Sequence, residues 1–337
     1  MEAPATRLED LAKLAGVSIS TASRALNDSP AVNTRTKQRI WKLARDLDYP
    51  FRRYMPAGPI GAEATITVVV PKPQSRDGRM ADPFFFELLA GIGDAARARG
   101  CDLLLSHVAP SSYEDLATAM STSRSDGVVF LGQSALHKEF NKLAETENRF
   151  VVWGAHLPEQ EYCSVGSDNF EGGRRATNHL ARLGRERIVF LGDTEAPEAM
   201  RRFRGYRDAI TNSALEYDET LIVPAHFEFD SARAAVHGAI DSGLEFDGIF
   251  AASDLIALGA ITALREMGRS VPQDVSVVGY DNVPFGAYAY PALTTIGQDT
   301  KRAGRILVAK LIDASGAIRP DADRMPAELI VRASCGA

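Results

Sequence analysis

The sequence predicts a two-part chain: a small all-α head followed by an α/β core of two doubly wound parallel-sheet subdomains. Three observations predict it. The first fifty residues carry apolar positions at helical spacing around one glycine, short β-branched runs alternate with amphipathic stretches from Thr65 onward, and that alternation restarts after Ser167. A length of 337 residues with 45% hydrophobic content is enough for two or three globular units.

Thr6 with Glu9 three residues on makes a capping box, and Leu8, Leu11, Ala12 and Ala15 follow at helical spacing, so a first helix starts at about Arg7. Gly16 ends it. Ser18 stands as the next N-cap, and Ile19 to Leu26 read as a second helix with Ala22, Ala25 and Leu26 inward and Ser20, Thr21, Ser23 and Arg24 outward. Asn33 caps a third helix, from Thr34 to about Leu47, that buries Ile40, Leu43, Ala44 and Leu47. Two helices joined through one glycine form a helix-turn-helix, whose second helix fits the DNA major groove. Spacing alone fits any small helical bundle equally well.

The net charge of −6 is unevenly placed. Residues 1–53 hold ten lysines and arginines against six carboxylates, a net of +4, which leaves −10 on the rest of the chain. A basic head on an acidic body suits phosphate contact by one end, although a solvated helical face is the bland reading of the same cluster. Cys101, Cys163 and Cys335 are odd in number and widely spaced, which fits a reducing compartment and buried small apolar residues. No run of eighteen apolar residues and no charged-then-apolar leader is present, so neither membrane insertion nor export is expected.

Pro50, Pro56, Gly58, Pro59 and Gly61 deny a long helix and mark residues 50–63 as a linker between a head at 1–49 and a core at 64–337. In the core, TITVVVP, CDLLLSHV, DGVVFLG and FVVWG read as strands between amphipathic helices; RIVFLG, LIVP, GIFAA and VSVVGYD repeat the rhythm later. Buried β-branched runs of this kind belong to parallel sheets covered on both faces.

LEDLAKLAGVSISTASRALN with AVNTRTKQRIWKLARDLDY resembles the headpiece of the lactose and galactose repressor (LacI/GalR) family, and DNFEGGRRATNHLARLG, RRFRGYRDAI, AASDLIALGAI and DVSVVGYDN extend the resemblance over nearly the whole chain. It implies a periplasmic-binding-protein-like core whose last segment crosses back between lobes. The expected first lobe is 64–161 plus 294–325, and the second 162–293 plus 326–337. Relatives carry an Asn-x-x-Ala-x-x-Leu hinge helix in the linker. This chain lacks that pattern, and Arg52, Arg53 and Met55 are the residues left for phosphate contact and for a minor-groove wedge.

Open α/β sheets bind ligands beyond the carboxyl ends of their strands, so the residues after each strand are candidates for a small-molecule effector site. These are Pro71, Lys72, Asp82, Phe84, Phe85, Trp153, Asp168, Asn169, Phe227, Ser253, Asp254, Asp281, Asn282 and Gln298, with Arg202 near the start of the helix after RIVFLGD. Aromatic faces, carboxylates, amides and one arginine suit a neutral polyol such as a sugar. By resemblance, Arg202 and Asp281 match the arginine before Gly-Tyr and the aspartate after Val-Gly-Tyr, and both would hold sugar hydroxyls; a structural ion pair is the alternative. Asp254 and Gln298 are alternatively helix caps, and the phenylalanines core residues.

GIGDAA at Gly91 to Ala96 imitates a dinucleotide fingerprint inside a helix and is expected to serve close packing. No P-loop, no Gly-x-Ser-x-Gly elbow and no paired His or Cys metal spacing occurs, so no enzyme, metal or cofactor is expected. The expectation is a cytoplasmic homodimeric repressor on a near-palindromic double-stranded operator, controlled by a sugar. Ile19, Ser20, Arg24 and Ser23 are assigned to base edges, and Thr6, Thr21, Asn27, Asn33 and Thr36 to phosphates. A purine or sugar-phosphate effector, or a sugar-binding transport protein, remains as an alternative.

Overall fold

The computed structural model describes residues 8–26, 29, 31–46, 64–71, 82–122, 125–133, 135–312 and 322–337. They belong to two compact units, a head within residues 1–60 and a core from residue 61 onward. Thr6, Asn27, Leu47, Arg52, Arg53, Met55, the whole 50–63 linker and Lys72 lie outside the described residues.

The head contains α1 (Leu8–Leu14), α2 (Ile19–Leu26) and α3 (Thr34–Asp46). Gly16, at φ +62°, turns the chain out of α1, with its N–H on Lys13 O and the Val17 N–H on Ala12 O. Leu11, Ala15, Ala25, Leu26, Val32, Ile40 and Ala44 make the core of the head, with Leu8 and Leu43 half-buried against it. All but Val32, which precedes the Asn33 cap, are apolar positions that helical periodicity selects.

The core runs through β1 (Thr65–Val69), α4 (Pro83–Ala98), β2 (Asp102–Leu105), α5 (Tyr113–Thr122), β3 (Gly127–Leu131), α6 (His137–Ala144), β4 (Phe150–Trp153) and β5 (Ser164–Ser167). It continues with α7 (Asn169–Arg182), β6 (Ile188–Leu191), α8 (Pro197–Thr211), β7 (Ile222–Val223), α9 (Phe229–Asp241), β8 (Gly248–Ala251), α10 (Asp254–Glu266), β9 (Ser276–Asp281) and α11 (Pro284–Tyr288). Last come β10 (Thr294–Gly297), α12 (Thr300–Ile312), β11 (Ala322–Met325) and β12 (Glu328–Ile330).

Two six-stranded sheets result. The first has the order β11-β5-β4-β3-β1-β2 with every pairing parallel, and the second β12-β10-β9-β8-β6-β7, parallel except where β12 runs against β10. The interior strands β3, β4, β6 and β8 are wholly buried, as expected of a parallel sheet packed between helices.

Strand pairing moves the expected lobe boundaries in two places. β5 pairs with β4 through Val152↔Ser164 and Trp153↔Val165, so residues 164–167 belong to the first sheet, not to a second lobe starting at 162. β10 pairs with β9 through Thr294↔Val278 and Ile296↔Tyr280, so residues 294–297 belong to the second sheet, not the first. The chain therefore changes lobe after Ser167, after Gly297 and between β11 and β12. α6, β5 and β11 carry no clear sequence signal: SVGS and ADRM lack the β-branched run that marks the interior strands.

The GIGDAA stretch lies within α4, where a Cβ on Gly91 would collide with the backbone of Thr300, and one on Gly304 with the backbone of Gly91. The glycines let α4 and α12 approach backbone to backbone, which is the close packing expected of them. No described helix is long and apolar enough to cross a membrane. Phe285, Tyr288 and Tyr290 are 62%, 85% and 92% exposed and border a groove of about 420 Å³ with Phe229, Leu258 and Ile261.

Gly91→Val forces α4 and α12 apart. Overpacking of this kind costs about 1–3 kcal/mol or more, and the urea midpoint of the variant, measured by circular dichroism, is expected to fall accordingly.

Candidate functional site

In the head, the Ser18 hydroxyl accepts the Thr21 N–H at 3.1 Å and shares a 2.8 Å hydrogen bond with the Thr21 hydroxyl, which fixes the start of α2. Ala22, Ala25 and Leu26 are buried, so the opposite face is presented outward: Ile19, Ser20 and Arg24 are exposed, and Thr21 and Ser23 are half-buried. Asn33 Oδ1 accepts the Thr36 N–H at 2.9 Å and caps α3. An exposed apolar side chain, a hydroxyl and a guanidinium on one short helix offer the donor, acceptor and methyl contacts that base edges require.

In the core, the Arg202 side chain is 4% exposed. Its Nε donates to Asn169 Oδ1 at 2.8 Å, Nη1 donates to the Ala252 carbonyl, Nη2 stands 3.7 Å from Asp281 Oδ1, and the guanidinium lies 3.7 Å from the centroid of the Tyr280 ring. Asp281 Oδ1 accepts Gln298 Nε2–H at 2.6 Å, and Gln298 Oε1 accepts the Ser167 hydroxyl. Asp281 ends β9 at φ +114°, in the left-handed region that a non-glycine residue occupies only under constraint.

Burial pushes the Asp281 carboxyl well above the usual carboxylate range; Arg202 opposes that shift, while Asp82 and Asp254 add to it. Asp82 and Glu198 are raised for the same first reason, and Arg202 again opposes. One arginine thus serves several carboxyls. The Tyr280 hydroxyl is buried with no hydrogen-bond partner.

Arg202, Asp281 and Gln298 stand together as a network, with Asp82 as the N-cap of α4 through the Phe84 N–H at 3.0 Å. Phe84, Phe85 and Trp153 form a run of rings, with Phe84 centred 5.9 Å from Phe85 and 5.7 Å from Trp153; Phe85 is half-buried and the other two are buried. Phe227 is half-buried against the core of the second lobe. Ser253 and Asp254 are fully buried: the Ser253 hydroxyl caps α10 through Ile256 N–H, and the Asp254 carboxylate accepts Val283 N–H and the Thr295 hydroxyl. Ser253 is thus a helix cap, whereas the Asp254 oxygens brace the segment after β9 and cap no helix, and Gln298 is held by Ser167 and Asp281. Asn169, one of the strand-end candidates, joins the network through Arg202, whereas Ser167, Glu198 and Tyr280 complete it and stand outside the sequence-derived set. Among the described residues no group of three or more His, Cys, Asp or Glu side chains is placed to hold a metal.

Two family patterns match the chain: bacterial regulatory proteins of the lacI family over residues 7–50, and the periplasmic binding protein-like domain over residues 177–335. The HTH-type transcriptional regulator CelR of Thermobifida fusca is 34% identical over 313 residues, 91% of each chain. The chain belongs to the LacI family. The HTH-type transcriptional repressor CytR of Escherichia coli is 29% identical over 98% of this chain and 96% of its own length. The solved CelR–cellobiose complex superposes with a TM-score of 0.69 at 31% identity, over 98% of this chain and 99% of that one. As a LacI-family member the chain is a DNA-binding transcription regulator under small-molecule control, not an enzyme.

The buried acids set a pH dependence. Burial pushes Asp254 from 3.8 up to about 7, against the hydrogen bonds from Thr295 and Val283. The folded chain holds this proton more tightly than the unfolded chain, so the linked stability is complete below 3.8 and is lost as pH rises through about 7. Asp254→Asn removes that contribution. The drop in urea midpoint across this pH window is expected to be smaller in the variant than in the parent protein.

Proposed function

We propose that this chain is a cytoplasmic homodimeric repressor whose grip on a near-palindromic operator is set by a neutral sugar held at Arg202, Asp281 and Gln298. The observation that carries the reading is the buried Arg202–Asp281–Gln298 network, a donor fork and acceptors fixed at the carboxyl ends of the strands, where they can bind adjacent hydroxyls. The run of Phe84, Phe85 and Trp153 supplies an apolar wall of the kind that sugar rings pack on. Asp82, Glu198 and Asp281 share a single arginine, and burial already disfavours their ionised forms, so a phosphate there would compete for Arg202 and make their ionisation costlier still. That favours a neutral sugar over a sugar phosphate. Two solved LacI-family relatives support a carbohydrate: the CelR complex contains cellobiose, and an Enterococcus faecium regulator, 25% identical over 80% of this chain with a TM-score of 0.66, contains ribose.

At the operator, Arg24 would pair with guanine O6 and N7, Ile19 would meet a thymine methyl, and Ser20 and Ser23 would add hydroxyl contacts. Thr21, Asn33 and Thr36 would hold phosphates, joined by Thr6, Asn27, Arg52 and Arg53, with Met55 as a wedge. Closure of the two lobes on the sugar would shift the balance between operator-competent and incompetent dimers. Coupling of about 1–3 kcal/mol changes affinity roughly 5–150-fold. A two-fold operator needs two heads, and the exposed Phe285, Tyr288 and Tyr290 would be covered by the same patch of a second copy.

Calorimetry against a panel of neutral sugars, sugar phosphates and purines, with operator release read by fluorescence anisotropy, tests the effector. Gln298→Ala is expected to weaken sugar binding about tenfold, close to the loss of one charge-assisted hydrogen bond, while operator binding without sugar persists. Binding of a purine or a sugar phosphate with no response to any neutral sugar overturns the assignment. Arg24→Ala should cost about 1–3 kcal/mol of operator binding and relax specificity at one base pair, leaving sugar affinity unchanged. Tyr288→Glu with Tyr290→Glu should produce monomers in analytical ultracentrifugation; a dimer as tight as the parent places the interface elsewhere.

A further inference from the structure

Arg201 stands one residue before Arg202 on α8 and faces different surroundings. A cavity with about 10 Å³ of room for the centre of a water-sized occupant is bordered by His156 after β4, Ser164 and Gly166 of β5, Arg201 of α8, and Asp323 and Arg324 of β11. β4, β5 and β11 belong to the first sheet, whereas α8 packs through Ala199, Tyr206 and Ile210 into the core of the second lobe. The cavity therefore lies where the lobes meet. Ser167 and Asn169 form the wall it shares with the Arg202 network.

One buried donor that borders it lacks an acceptor. Arg201 reaches across the lobes to donate from Nη2 to the His156 carbonyl, yet Arg201 Nε and His156 Nδ1 are buried with no hydrogen-bond partner. An N–H left so costs about 1–3 kcal/mol. Burial, then the positive charges of Arg324 and Arg204, pull the Arg201 pKa down, while Asp168 pulls it up; burial, Arg324 and Arg201 likewise lower His156. Two carboxylates also border the space. Asp168 caps α7 by accepting Glu171 N–H, and Asp323 pairs with Lys310 at 2.9 Å. Arg201 and Arg324 therefore face the space with Asp168, while the charge of Asp323 is already met by Lys310.

We propose that this cavity binds one small monovalent inorganic anion, of halide size, that joins the two lobes. The anion accepts from Arg201 Nε, balances Arg201 against Arg324, and ties α8 of the second lobe to β11 and the segment after β4 of the first. Occupancy favours the lobe arrangement in which these elements stay together. It does not depend on which effector the crevice takes.

The test uses the full chain without sugar or DNA, and chloride as the probe. Exchanging gluconate, too bulky for the cavity, for chloride at constant ionic strength should raise the Tm by about 1–2 °C, the response of a chain this size to about 1 kcal/mol of binding linkage. The chloride NMR resonance should broaden in the presence of the protein. Arg201→Met keeps the aliphatic stem and should abolish both effects; Arg324→Gln, at an exposed position, should weaken both without threatening the fold. Equal Tm values in the two salts, or an unchanged chloride response in both variants, overturns the proposal.

Discussion

A guanidinium cannot be left bare inside a protein, and the burial of Arg202 dictates how the ends of several elements meet. Taking that charge from water costs several kcal/mol unless hydrogen bonds and an opposite charge replace the solvent. Asn169 supplies one acceptor from the first turn of α7, the Ala252 carbonyl a second from just beyond β8, and β9 contributes both the Tyr280 ring and the Asp281 carboxylate. The partners come from three elements, so satisfying the arginine fixes all three relative to α8. The left-handed backbone of Asp281 follows from the same demand. Such a conformation persists only where its surroundings over-determine it, and here Arg202, Gln298 and the Asp254-braced loop do so.

The network also touches the places where the chain changes lobe. Ser167 closes β5 of the first sheet, Gln298 follows β10 of the second, and the hydrogen bond between them joins two of the three crossings. A ligand that competes for Asp281 or Gln298 alters a bond anchored at the crossing itself. On the proposed reading, sensing and hinge geometry would share the same side chains, and a two-state response would follow: buried hydrogen-bond networks rearrange between discrete patterns rather than stretch.

Much of this was legible in the residues. The head was, because Gly16, Ser18 and Asn33 each have a chemistry that fits one turn or cap, and the apolar positions between them follow one period. The interior strands were legible for a similar reason, since a wholly buried strand must be a run such as VVFL or IVFL. What escaped were elements whose place is set by partners far along the chain. Nothing in SVGS announces that it pairs with FVVW rather than starting the next lobe, because the ladder is made by backbone groups common to all residues. Within the candidate site, proximity to strand ends selected Asp281 and Gln298 together with Ser253 and Asp254, and the resemblance singled out Arg202 on α8. Position alone cannot separate a side chain that faces the crevice from one whose oxygens are already taken by backbone N–H groups.

Arg201 and Arg202 make the same point at the scale of one bond. They are chemically identical neighbours on α8, and a helix turns about 100° between them. That rotation delivers Arg202 to an aromatic face, an amide oxygen and a carboxylate, and delivers Arg201 to a carbonyl, a second arginine and a histidine nitrogen without a partner. In the first setting the positive charge is matched by acceptors of the protein's own. In the second one donor, the Arg201 Nε–H, is left without an acceptor. The shortfall sits between the lobes, where an external acceptor would act on both at once.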